Sequence, residues 1–168
     1  MQKFLGIKSN LFNNQLTADY IAFVLKHNDW FKGYLDKAGI DIRQVEADDT
    51  WDEEDLFSEV YLGGELAVWL YEGLLKNGCT KSTGPVMEDY GWCFSVNYQG
   101  RQFTIDIWDS PDGGKQYNWL MGIKEFKPVW KFAMKKDPAA LEQMVKTIEQ
   151  LLDNAQGTTY QWFAERPV

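Results

Sequence analysis

Apolar and aromatic residues recur at three- and four-residue steps through the first quarter of the chain: Tyr20, Phe23, Val24, His27, Trp30, Phe31, Tyr34, Leu35 and Ala38. That spacing lays them along one face of an α-helix. Thr17 is a suitable cap, Asp19 complements the positive helix end, and Gly39 is a natural stop, so a helix is predicted over 18–38. Gly33 weakens the pattern, and two shorter helices meeting near Asn28 remain an alternative. A second helix is predicted over 64–77, where Leu66, Trp69, Leu70 and Leu74 share a face before Asn77-Gly78. A third is predicted over 138–154. It starts at Asp137-Pro138, a cap followed by a first-turn proline, and carries Leu141, Met144, Val145, Ile148, Leu151 and Leu152 as its stripe.

Between the second and third helices the period changes to two. Trp92, Phe94, Val96 and Tyr98 alternate with Cys93, Ser95 and Asn97, Gln99-Gly100 makes a turn, and Phe103, Ile105 and Ile107 alternate with Thr104, Asp106 and Trp108. After Ser110-Pro-Asp-Gly-Gly, residues Tyr117, Trp119, Met121 and Ile123 supply a third strand on the same apolar face. Tyr90-Gly91-Trp92 reads as the turn into the first strand, leaving Glu88 and Asp89 at the sheet's rim. Ile40, Ile42 and Val45, and the stretch VWKFAM after Lys127-Pro128, are further strand candidates. The tail TTYQWFAERPV is aromatic enough to pack back on the body. The expected fold is one α+β domain over 1–168, an antiparallel β-meander of three to five strands covered on one face by helices.

Composition adds little to that picture except through charge. The net charge is −8, yet residues 41 to 65 hold ten acidic side chains against Arg43 alone, a local −9, so the remainder sums to about +1. An acidic block of this density repels phosphates and attracts cations, which excludes nucleic acid as the expected partner and favours a basic protein. No apolar run reaches the ~20 residues of a membrane helix and the N-terminus lacks a signal-peptide core, so no membrane association and a cytoplasmic location are expected. Cys79 and Cys93 have no CxxC spacing and read as buried or half-buried reduced thiols.

Candidate chemistry is sparse. Glu88, Asp89, Asp106 and Asp109 are four carboxylates near one end of the predicted hairpin, the donor type that suits a hard cation, and they define an alternative reading as a small metal-assisted hydrolase. No HExxH, calcium-loop spacing, glycine-rich phosphate cradle or GxSxG motif accompanies them, and no metal or cofactor is assigned. His27, the sole histidine, lies on the aromatic stripe of the first helix, where packing is the simpler role. Exposed aromatics such as Trp108 or Trp162 would suit a homodimeric regulatory or scaffold protein.

The stretch ADDTWDEEDLF offers a surface of a different kind. Trp51 stands among Asp48, Asp49, Asp52, Glu53, Glu54 and Asp55, an aromatic anchor ringed by charge, as a surface that steers and then holds a basic partner requires. The alternative is a helix start, with the carboxylates complementing its dipole and Trp51 folded beneath. Glu88-Asp89-Tyr90-Gly91-Trp92 ahead of a meander, the DIWDSPDGG turn and the acidic, Leu-rich-helix composition resemble, over residues 63 to 154, the small bacterial immunity proteins of polymorphic-toxin, contact-dependent and type VI secretion systems. The resemblance implies a non-enzymatic protein that binds and neutralises a cognate toxin. It carries over no catalytic residue.

Overall fold

The computed structural model describes residues 2–12, 18–27, 61–88, 90–110, 116–126 and 137–166, with positions 29, 32, 33 and 37. Among these residues six strands and three helices follow in the order β1 (Gln2–Ser9), α1 (Ala18–His27), α2 (Gly64–Lys76), β2 (Thr80–Glu88), β3 (Gly91–Tyr98), β4 (Arg101–Asp109), β5 (Trp119–Phe126), α3 (Pro138–Asp153) and β6 (Thr158–Phe163). All six strands join one antiparallel sheet in the order β2-β3-β4-β5-β1-β6.

The α+β class and the antiparallel meander are as expected; the strand count is corrected from three to five to six. The meander runs through four consecutive strands, β2 to β5, and β1 and β6 extend it beyond β5. Tyr90-Gly91 therefore closes a hairpin between β2 and β3 rather than opening the sheet's first strand. The two other strand candidates, at 40–45 and 129–134, lie outside the described residues.

The two-residue period fixes which side chains meet the helices. Register sets Trp92 opposite Ile107, Phe94 opposite Ile105, and Val96 opposite Phe103, and continues the row through Ile105 to Ile123 and Ile107 to Met121. Leu5 and Ile7 of β1 extend it beyond β5. These residues are buried, and Leu66, Leu70 and Leu74 of α2 with Leu141, Met144, Ile148 and Leu152 of α3 close over them. At roughly 25 cal/mol per Å² of apolar surface this layer is the main favourable contribution to folding.

Helix ends obey local chemistry. Asp137 accepts hydrogen bonds from the backbone N–H groups of Ala139 and Ala140, and Pro138 occupies the first turn. The N-terminus of α2 is different: its cap, Gly63, has no side chain to offer. The hydroxyl of Tyr20, from α1, accepts from the Gly64 N–H at 2.9 Å and donates to the Tyr61 carbonyl at 2.7 Å. Trp92 Nε1–H donates to the same carbonyl at 2.7 Å. A buried tyrosine thus caps a helix more than forty residues away and ties it to the sheet.

Two positions depart from the predicted pattern. The helix predicted over 18–38 is continuous for Ala18–His27; 29, 32, 33 and 37 are helical, and the rest of that stretch and its cap Thr17 lie outside the described residues. Tyr117 was expected beside Trp119 on the helix-covered face. It precedes β5, so strand alternation does not govern it, and its ring lies on Gly6 and edge-on to Phe163, on the opposite face.

Candidate functional site

The face of the sheet turned away from the helices carries the alternate members of each strand, among them Cys93 of β3, Asp106 and Trp108 of β4, and Lys124 of β5. Register places Asp106 directly between Cys93 and Gly122. Its carboxylate is only 2% exposed and accepts a charge-assisted hydrogen bond from Lys124 Nζ at 2.8 Å. Tyr90 Oη donates to the other oxygen at a long 3.4 Å. A carboxylate this buried needs such a partner, because an uncompensated charge there would cost several kcal/mol. Burial, followed by the neighbouring Cys93 and Asp106, raises the Tyr90 phenol above its ordinary value. Burial also raises the Cys93 thiol, so the group is a poor nucleophile despite its polar neighbours.

Trp108 occupies the next open-face position. Its indole reaches over Gly122, where a Cβ would come within 2.6 Å of the ring. Only a residue without a side chain allows that approach. The guanidinium of Arg166, from the segment after β6, lies over the ring at 4.6 Å from its centroid.

Around this stack opens a cleft of about 530 Å³ lined by Gln2, Tyr61, Tyr90, Asp106, Trp108, Asp109, Lys124 and Arg166. Asp109, the last residue of β4, is exposed by surface area, yet protein crowds its carboxyl, and loss of hydration pushes it up to about 6. Neither Asp109 nor Arg166 has an ion-pair partner among the described residues. A second depression of about 500 Å³ lies between α3 and β6, where Lys3 pairs with Glu142 at 3.3 Å and Trp162 Nε1–H donates to Glu149.

The residues singled out from sequence fare unequally. Asp48, Asp49, Trp51, Asp52, Glu53, Glu54 and Asp55 lie outside the described residues; the next described residue after them is Tyr61, which borders the cleft and is fixed there by Tyr20 and Trp92. Asp89 also lies outside. Glu88 is exposed at the end of the edge strand β2, while Asp106 and Asp109 border the cleft from opposite sides of β4. Among the described residues no group of three or more His, Cys, Asp or Glu side chains is placed to hold a metal. His27 is half-buried against Phe23, ring centroids 4.6 Å apart, and burial lowers its pKa. Cys79 is buried and Cys93 half-buried, both as free thiols. Trp108 and Trp162, proposed as exposed aromatics, are half-buried and engaged as described.

Sequence reasoning missed Trp108, Lys124, Arg166, Gln2 and Tyr61 as cleft residues. The available signal was Trp108 itself, a large aromatic at a polar-face position of an otherwise regular strand. The others come from segments far apart in the chain. No helix among the described residues is long and apolar enough to cross a membrane. No protein-family model, curated protein or solved structure matches the chain.

Proposed function

We propose that this protein is a non-enzymatic binding module for a basic protein partner, acting as an immunity protein that neutralises a cognate toxin. The observation that carries the reading is the concentration of charge: residues 41–65 bear a net −9 in a chain whose remainder is near neutral. Such a segment draws in a cationic surface at long range and, once seated over a cationic active site, obstructs its substrate. Trp51, flanked by Asp48, Asp49, Asp52, Glu53, Glu54 and Asp55, is the anchor assigned to it. The cleft is compatible with the same reading, because its buried carboxylate, Asp106, is already paired with Lys124 and its Trp108 face already carries a cationic side chain.

The test is the association rate with the partner, the first candidate being the product of the adjacent reading frame, over a salt series. Replacing Asp52, Glu53 and Glu54 together by lysine is expected to slow association about tenfold at low salt and to flatten its salt dependence. An unchanged rate and slope would refute the acidic segment as the contact. The metal-assisted alternative through Glu88, Asp89, Asp106 and Asp109 is tested by calorimetric titration with Mg²⁺, Ca²⁺ and Mn²⁺; heat of binding at micromolar to millimolar metal would favour it.

A further inference from the structure

We infer that the cleft around Trp108 is a seat for one cationic side chain, arginine or lysine, of the partner, and that Arg166 of the protein's own tail fills that seat until the partner arrives. The inference rests on the basic-partner reading and names the side chain that enters. Two features of the cleft, the Trp108 ring and its surrounding charges, favour a cation. The indole of Trp108 stands on the open face of the sheet and borders the cleft, its six-membered ring reaching over Gly122, where a side chain would collide with it. The protein itself already places a guanidinium on that face, at 4.6 Å. Asp109 borders the same cleft without an ion-pair partner among the described residues.

The neighbouring charges define what the seat accepts. Lys124 faces the cleft as well, but Asp106 neutralises it at 2.8 Å. Among the described residues, the four charged side chains of the cleft balance with Arg166 seated; with Arg166 withdrawn the other three sum to −1 and the face of Trp108 is open. An anion would meet Asp109 there. A planar guanidinium gains the ring quadrupole directly and the field of the Asp109 carboxylate across the cleft, without an ion pair between them. The tail is suited to exchange, since Arg166 follows the last strand and makes its described contact through this single stack. Occupation by the tail lowers the apparent affinity for an incoming cation by the fraction of time the seat stands open.

The experiment titrates the full-length protein with an arginine-containing tripeptide amide, and with its citrulline counterpart, following the Trp108 indole N–H resonance assigned by Trp108→Phe. Arg166→Ala is expected to bind the arginine peptide about five- to tenfold more tightly than the unaltered protein, with the Trp108 resonance shifting. In that background Asp109→Asn is expected to weaken binding severalfold, and the citrulline peptide to bind weakly or not at all. Equal affinity with and without Arg166, equal affinity for citrulline, or a shift confined to other tryptophans would overturn the proposal. Arg166 lies outside the core, so its replacement leaves the fold intact and the comparison readable even where an Asp109 variant is unstable. The association kinetics of the Asp52, Glu53 and Glu54 variant are read separately. A seat that fails while that variant associates slowly refutes the cation seat alone; a seat that binds while that variant behaves normally refutes the acidic segment alone.

Discussion

Replacing Tyr20 with phenylalanine isolates the contact that ties α1, α2 and the sheet together. The ring is fully buried and stays in place, so no cavity opens. What goes is one hydroxyl, with its bond to the Tyr61 carbonyl at 2.7 Å and its acceptance from the Gly64 N–H at 2.9 Å. The carbonyl keeps the Trp92 indole as donor. The amide loses its cap, and Gly63 has no side chain to replace it. Two hydrogen bonds at a net of about 1 kcal/mol each, with one buried N–H left unpaired, give a loss of about 2–3 kcal/mol. For a domain of this size that corresponds to a Tm lower by about 5–10 °C. Urea denaturation followed by circular dichroism measures it, with the slope m expected to stay constant because the surface exposed on unfolding does not change. A loss below about 0.5 kcal/mol would refute the reasoning, showing that water reaches Gly64 and that the tyrosine is not the helix cap.

Gly91→Ala is expected to destabilise the protein severely: the residue has φ 139°, and an added Cβ would come within 2.2 Å of the Ile107 carbonyl oxygen on the neighbouring strand. A thermal melt within about 2 °C of the parent would show that the β2–β3 hairpin tolerates a side chain there. Asp109→Asn tests the desolvated carboxyl. Its folded value of about 6 lies above the ordinary aspartate value, so the native state holds the proton longer than the unfolded chain and stability falls as pH rises from about 4 to 6. The asparagine variant is expected to lose less stability than the parent across that window; parallel stability-versus-pH curves would refute the shift.

Much of the core could be read from spacing. The alternation in β3 and β4 reflects contact of every second side chain with the helices, and Gln99-Gly100, both with positive φ, closes their hairpin as the turn chemistry required. The stripe of α3 and its Asp137-Pro138 start are local signals, and they hold. β2 escaped notice because TKSTGPVME is an edge strand, mostly exposed and interrupted by two register shifts, with no apolar period to display. β1 and β6 escaped for another reason. Leu5 and Ile7 alternate over too few residues to stand out, and each strand is completed by a partner more than a hundred residues away.

The same division separates the core from the cleft. By itself the sequence determined the α+β class, the three helix starts, the faces of the central strands and the location of the negative charge, because all of these depend on neighbours within a turn or a hairpin. Only the tertiary structure decided that Gln2, Tyr61, Trp108, Lys124 and Arg166 share one cleft, since five separated chain segments and the exact pairing of β1 with β5 must be in place first. It also decided the states of the two aspartates on β4, paired and buried at Asp106, crowded and without an ion-pair partner among the described residues at Asp109. Charge and hydration depend on what surrounds a side chain in space, and that environment is assembled from the whole fold.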